Sequence, residues 1–336
     1  MPRKILVVGA TGKQGRAIIQ AFLTPGETKL EHEYHVYALT RHVGRLNWAD
    51  DPRLTALTGD LDDAESIVQI FKNAQADSHS PESTAGFWGV VVILAYPGLS
   101  TNADGEERQG KMLADLALEY GVQSFIYSSG SRAGPKYEHL LTLSGQAKAA
   151  IENHCKDLGP KGLSWTIIRP GFFMENFNDL SGSILAAILK AGLSKNTTFG
   201  LIGSKDVGKA VVAIFENHEK FCHKELAIMG QISTISEVTA DHLAATGQHL
   251  SLTPTLLGWA LLKLNAGLQD MIQSMERSHR ARSQGEYPSF QKELEAGSSL
   301  SHLQTYSEWL TQDGWQESNA WGWNQVSFAK LFTGRS

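Results

Sequence analysis

Residues Lys4 to Gly15, K-I-L-V-V-G-A-T-G-K-Q-G, constrain the fold more than any other stretch of this chain. A short, mostly apolar run, Lys4 to Val8, is followed by Gly9, Gly12 and Gly15 at three-residue spacing. A helical pattern then begins, with Ile18, Ala21 and Phe22 on one face. Strand, glycine turn and helix in this order let the backbone approach a pyrophosphate and aim a helix N-terminus at its charge. The glycines serve the turn, the close approach and the strand–helix packing. A lone glycine triplet says little; a strand directly before it and a helix directly after it give it weight.

The position after the second strand separates the two dinucleotides. Tyr34 to Thr40 reads as that strand, and it ends at Arg41, with Arg45 behind it and Lys13 in the glycine turn. An acid there would hold a ribose 2′-hydroxyl, whereas an arginine suits a 2′-phosphate. The expected cofactor is therefore NADP. Arg53 to Leu57 reads as a third strand, followed by Gly59-Asp60-Leu61-Asp62-Asp63. Asp62 and Glu65 have the spacing of a capping box, and Asp60 and Leu61 fall where an adenine would lie. Gln75 to Ala85 is polar and reads as an exposed loop. Gly89 to Leu94 is aliphatic throughout, as in a strand buried on both faces.

The alternation continues. A helix is expected over Glu106 to Tyr120, a strand over Ser124 to Tyr127, a helix capped by Ser144, and a strand over Ser164 to Ile168 that runs into Arg169 to Asn176. Strands alternating with helices at this length predict an α/β fold with a doubly wound parallel sheet. Further on, Asp206 starts a helix, Glu225 to Met229 is a short strand, Ser236 to Ala245 a helix, and Leu256 to Met275 one long helical pattern. Five tryptophans lie after residue 250: Trp259, Trp309, Trp315, Trp321 and Trp323. They suit an aromatic substrate pocket or ordinary packing.

The chain has 336 residues, enough for one large or two ordinary domains, and its net charge of −5 argues against nucleic acid. Cys155 and Cys222 fit no metal spacing, so no metal is expected. No leader or membrane-spanning run is read, and a cytoplasmic location is expected.

The motifs G-A-T-G-K-Q-G (Gly9–Gly15), T-R (Thr40-Arg41), G-D-L-D-D (Gly59–Asp63), Gln109–Val122 with F-I-Y-S-S, and R-P-G-F-F-M-E-N (Arg169–Asn176) resemble the NmrA-like family of atypical short-chain dehydrogenase/reductases. The resemblance covers roughly Lys4 to Met229. It implies a Rossmann-type sheet of order 3-2-1-4-5-6-7 over residues 1–170, with a returning segment near 197–230. A smaller, mostly helical substrate domain would be built from 171–196 and 231–336. It also implies that Gly9, Thr11, Gly12, Lys13, Gln14 and Gly15 hold the pyrophosphate and that Arg41 meets the 2′-phosphate. Asp60, Leu61 and Asp62 would border the adenine, and Ala95 and Tyr96 the ribose. Lys148 would bond the nicotinamide ribose, with Phe173, Glu175 and Asn176 flanking the nicotinamide.

Typical members of the wider group place a tyrosine four residues before the lysine, on the same helix face. Here that residue is Ser144, and no Tyr-x-x-x-Lys occurs in the chain. Candidate catalytic groups are therefore Lys148 itself, Tyr137, Ser129 and Tyr96. His139, Asp270, Glu286 and Tyr287 are further polar candidates near the site. Three functions stay open: an NADP(H)-dependent oxidoreductase of small-molecule, secondary metabolism acting on an aromatic or heterocyclic carbonyl or imine; a non-redox condensation or cyclisation enzyme that keeps NADP as an orienting cofactor; and an NADP(H)-sensing regulator with a protein partner.

Overall fold

A computed structural model describes residues 2–24, 30–41, 51–76, 86–99, 101–250 and 253–314. The chain runs through β1 (Arg3–Val8), α1 (Lys13–Leu23), β2 (Tyr34–Thr40), β3 (Leu54–Thr58), α2 (Ala64–Ala76), β4 (Gly89–Val92), α3 (Asp104–Glu119), β5 (Ser124–Ser128), α4 (Ser144–Leu158) and β6 (Trp165–Pro170). It continues with β7 (Phe172–Phe173), α5 (Asp179–Gly192), β8 (Thr198–Ile202), α6 (Ser204–Glu216), α7 (His218–Phe221), β9 (Lys224–Ile228), β10 (Gln231–Thr234) and α8 (Ile235–Thr246). The last helices are α9 (Thr255–Leu264), α10 (Ala266–Ser283), α11 (Phe290–Ser298) and α12 (Tyr306–Trp309).

Seven strands form one parallel sheet in the order β3-β2-β1-β4-β5-β6-β9. This is the expected Rossmann-type α/β fold, with Lys224–Ile228 as the seventh strand. Helices α1 and α6 cover one face through Ile18, Phe22, Val211 and Phe215. Helices α2, α3 and α4 cover the other through Ile67, Phe71, Leu113, Ala117 and Ile151. Every residue of β4 is buried, as its aliphatic run predicts for a strand covered on both sides. Strand order reverses between β1 and β4, which opens a crevice at the carboxyl ends of the strands.

A second, three-stranded sheet has the order β10-β8-β7. Within 197–230, β8 belongs to this small sheet and β9 to the large one. Helix α8 begins with a full capping box, Thr234 with Glu237.

Three local expectations are corrected. Leu256 to Met275 is two helices, because the Asn265 side chain caps the second by accepting from the Leu268 N–H at 3.1 Å. Helix α2 starts at Ala64, so its cap is Asp63, which accepts from Glu65 and Ser66; Asp62 turns instead to Arg108 and Gln109, each at 2.9 Å. Ser144 is the first residue of α4 rather than its cap. The cap position is Leu143, held at φ 41°, and the Ser144 hydroxyl donates to Glu106. Arg45, residues 77–85, and Trp315, Trp321 and Trp323 lie outside the described residues. Among those residues no helix is long and apolar enough to cross a membrane.

Candidate functional site

The glycine turn joins β1 to α1 and stands at the crevice. Gly9 has φ 82°, and a Cβ there would sit 3.2 Å from the Ile93 side chain and overlap the Ile93 carbonyl. A Cβ at Gly15 would lie 2.8 Å from the Ala10 Cα. These two glycines are demanded by the fold itself. Gly12 differs: a Cβ there would meet only the Gly9 oxygen, at an ordinary 3.4 Å, and its backbone is extended. The protein leaves room at Gly12 that a bound phosphate can use. Gly12 is also the N-cap of α1, no side chain caps that helix, and no acid stands in its first turn. Its leading N–H groups and dipole suit an anion.

Other candidates follow the carboxyl ends of successive strands. Arg41 is exposed just past β2, close enough to Asp62 to help hold that carboxyl below its usual range, behind the larger effects of Gln109 and Arg108. Asp60 and Leu61 follow β3; Asp60 accepts from the Asp62 N–H and so shapes the turn. Ala95 and Tyr96 follow β4 and are exposed. Although about half of the Tyr96 side chain is open to solvent, the crowding around its hydroxyl raises the phenol, and the nearby Glu106 and Asp270 carboxylates raise it further. The Gln14 side chain accepts from Ser128 Oγ at 2.8 Å, tying the glycine turn to the end of β5.

Ser129, just past β5, is 9% exposed, and its Oγ has no hydrogen-bond partner among the described residues. A buried hydroxyl without a partner costs free energy unless a ligand supplies one. Gly130 beside it runs over the stem of Lys148, 3.8 Å from its Cδ to a Cβ built at residue 130. Lys148 is paired with Glu106 of α3. Phe173 and Asn176 are partly buried near the end of β6. Glu175 is buried and accepts from the Ser204 N–H and hydroxyl, so it caps α6 and orders its own loop. Burial pushes its carboxyl up against the pull of Ser204 and Lys13.

Tyr137 is not aimed at an open site. Its hydroxyl donates to Glu286 at 2.5 Å, which raises the phenol, and Glu286 also pairs with Lys136. Tyr287, a further polar candidate, is buried between Arg169 and Glu293. Those residues belong to a charge network that the sequence does not reveal. Arg169 at the end of β6 bonds Glu152 of α4 at 2.6 Å, Glu225 of β9 at 2.6 Å and Glu293 of α11 at 2.8 Å. Arg132 pairs with the same Glu152. Trp309 stacks on Tyr306 in the core, whereas Trp259 is half-exposed with Lys263 3.8 Å above its ring.

A profile of the NmrA-like family matches residues 1–315. The chain belongs to that family. Among NmrA-like relatives, the domain-containing oxidoreductase ptmS of Penicillium ochrochloron is 25% identical over 300 residues, spanning 80% of this chain and 82% of its own. Of solved NmrA-like folds, NmrA, a negative transcriptional regulator in complex with NADP, superposes with a TM-score of 0.61 at 18% identity, over 93% of this chain and 95% of that one. The triphenylmethane reductase of a Citrobacter species, complexed with NADP(H), gives a TM-score of 0.61 at 16% identity, over 92% and 99%. These structural likenesses establish the shared fold. The NmrA-like chain thus brings its expected glycine turn, Arg41, Ser129 and Lys148 to one sheet edge. Glu106 had no sequence signal, because an acid in a helix's first turn reads as a solvated one; Ser144 and Arg169 stood out in the sequence, but their partners on other elements did not.

Proposed function

We propose that this chain is an NADP(H)-dependent oxidoreductase of cytoplasmic small-molecule metabolism, acting on an aromatic or heterocyclic carbonyl or imine. The observation that carries this reading is the unpartnered Ser129 Oγ, buried at the carboxyl edge next in the chain to Gly130, which runs over the Lys148 stem. Gly9, Thr11, Gly12, Lys13, Gln14 and Gly15 would hold the pyrophosphate on the α1 N-terminus, and Arg41 the 2′-phosphate. Asp60, Leu61 and Asp62 would border the adenine, Ala95 and Tyr96 the ribose, and Phe173, Glu175 and Asn176 the nicotinamide. The bound nucleotide would supply or accept a hydride. Ser129 would hydrogen-bond the substrate heteroatom, Lys148 would hold the ribose, and Tyr96, whose side chain is exposed past β4 rather than spent on a carboxylate as Tyr137 is, would be the proton donor. Tyr96 after β4, Leu140 and Leu143 before α4, and Leu180 in the first turn of α5 are exposed large apolar side chains, from 40% to 63%, in segments that follow strand ends β4 to β7. An exposed apolar rim favours a flat, apolar substrate. That one relative is named an oxidoreductase and one neighbour a triphenylmethane reductase supports the same reading.

The missing phenol at residue 144 favours two further readings, a non-redox enzyme that keeps NADP to orient its substrate and a nucleotide-sensing regulator, as the named role of NmrA suggests. One experiment separates them: purified protein is mixed with NADPH and a panel of aromatic and heterocyclic carbonyls and imines. Loss of nicotinamide absorbance with product formed supports the first reading. Product at constant absorbance overturns it for the second. NADPH binding without any product, together with nucleotide-dependent capture of a protein partner, overturns it for the third.

A further inference from the structure

Lys148 is held by a group that no motif announces. Its ammonium pairs with one oxygen of the Glu106 carboxylate, and Ser144 Oγ donates to the other oxygen at 2.7 Å. Glu106 is 5% exposed, so both of its oxygens are committed inside the protein. It stands in the first turn of α3, where the helix dipole favours a carboxylate. One turn further on, Gly110 presses against Ile151 of α4; a Cβ there would come within 2.7 Å of Ile151 Cγ1. This close approach locks α3 to α4 and holds Glu106 opposite Lys148. Ser144 and Lys148 share one face of α4, four residues apart. The slot that carries a phenol in the common pattern is therefore filled by a serine whose hydroxyl is spent on Glu106 of α3. Immediately before it, Leu143 is held at φ 41°, a conformation costly for a residue with a Cβ.

We propose that Glu106 is the positioning residue of this site: together with Ser144 it fixes the Lys148 ammonium at the end of a stem that passes under Gly130, where it meets the nucleotide ribose. The proposal rests on the reading that NADP(H) lies along this edge. A buried ion pair is weak support for stability by itself, since apolar replacements are often as stable. Its value here is geometric. The long lysine arm, which carries large rotamer entropy, reaches the cleft already fixed in one place.

The test is a fluorescence titration of NADPH into the full chain, with thermal melting of each variant beside it. Glu106→Gln keeps the shape but replaces the carboxylate with a neutral amide, so the Lys148 ammonium loses its charge partner and is held less firmly. Affinity for NADPH is expected to fall about tenfold, as for one lost charge-assisted hydrogen bond. Lys148→Met should fall at least as far. In the Lys148→Met background, Glu106→Gln should add no further loss, because Glu106 acts through Lys148. A merely structural Glu106 would lower the melting temperature in both backgrounds and leave affinity unchanged, or would add its loss to that of Lys148→Met; either result overturns the proposal. So does tighter NADPH binding by Glu106→Gln. If Glu106→Gln fails to fold, Glu106→Asp, which keeps the charge and shortens the reach, must still weaken NADPH several-fold, and equal affinity overturns the proposal. A wild-type chain that does not bind NADPH overturns the nucleotide reading and this proposal together; a wild type that binds beside an unaffected Glu106→Gln overturns the role of Glu106 alone.

Discussion

Gly15 lies so close beneath Gly9 that a methyl group on residue 15 would overlap the Gly9 carbonyl oxygen and sit 2.8 Å from the Ala10 Cα. Gly12, between them, has room for that methyl group. Gly15→Ala is expected to destabilise the fold by about 1–3 kcal/mol, the range for overpacking a tight site. Gly12→Ala should cost under about 1 kcal/mol, a small loss at the helix cap. It should nevertheless abolish most NADPH binding, because the methyl group occupies the space left for the phosphates. Urea melts and NADPH titrations of the two variants check this, and a reversed pattern would show that the room at Gly12 serves packing.

Arg41 is exposed at the end of β2 and carries the 2′-phosphate assignment. Arg41→Ala is expected to weaken NADPH binding about tenfold or more, the worth of a charge-assisted contact to phosphate, and to leave NADH binding nearly unchanged. Titration of both nucleotides against both proteins measures the difference. Equal loss for the two nucleotides would remove Arg41 from the site.

Ser129→Ala separates stability from function. The Ser129 hydroxyl has no partner among the described residues, so deleting it removes a buried polar atom without breaking a bond. The melting temperature should stay level or rise. NADPH-dependent turnover of a carbonyl or imine substrate should fall at least about tenfold, as for a lost hydrogen bond at the reacting centre. A variant with full turnover would free Ser129 from any catalytic part.

Tyr137→Phe should leave turnover unchanged. The Tyr137 hydroxyl is spent on Glu286, and that bond raises the phenol, which makes it a poorer acid at neutral pH. A large loss of turnover without a change in NADPH affinity would restore Tyr137 as a proton donor.

Glu152 gives a pH dependence. Burial pushes its carboxyl up, but Arg169 and Arg132 overcome this and hold it at about 2, below the ordinary 4.5. A depressed carboxyl contributes stability that is whole above its unfolded value and is lost as pH falls toward its folded one. The window is therefore from about 4.5 down to about 2, and the contribution is on the order of 3 kcal/mol. Between about pH 6 and pH 2, the wild type should lose roughly that much more stability in urea melts than Glu152→Gln. At neutral pH the substitution itself should cost about 3–5 kcal/mol, because it leaves two buried guanidinium groups short of a charge partner. Parallel pH profiles would place the stabilising carboxylate elsewhere.

The large sheet was legible in the sequence because its signals are local. The aliphatic run of β4, the glycine turn after β1 and the helical spacing of α1 each announce one element, and their alternation announces the parallel order. The residues proposed to meet a nucleotide could be grouped for the same reason, since they follow strand ends. What was not legible depends on distant partners. Asp62 and Asp63 are neighbours in sequence, and only Arg108 and Gln109, on another helix, decide which of them caps α2. Asn265 breaks an apolar helical pattern by offering its own side chain to Leu268, a local competition that periodicity does not weigh. Glu106 is one of several acids at the start of α3, and nothing in the spacing tells that it alone turns inward to Lys148. The small sheet escaped because β7 is only two residues long and β10, Gln-Ile-Ser-Thr, lacks the aliphatic run that announces β4.

The two sheets are interleaved along the chain. After β6 the polypeptide leaves the large sheet for β7 and β8, returns for β9, and leaves again for β10. A cut after residue 170 would therefore tear off the outer strand, against which α11 and the Arg169 network are built. An isolated segment of residues 1–170 would expose the bare flank of β6 as a template for aggregation. Grafting this chain's substrate-facing half onto another scaffold would need three junctions in sequence, one at each crossing between the sheets, and a single-crossover chimera would inherit a sheet with a missing strand.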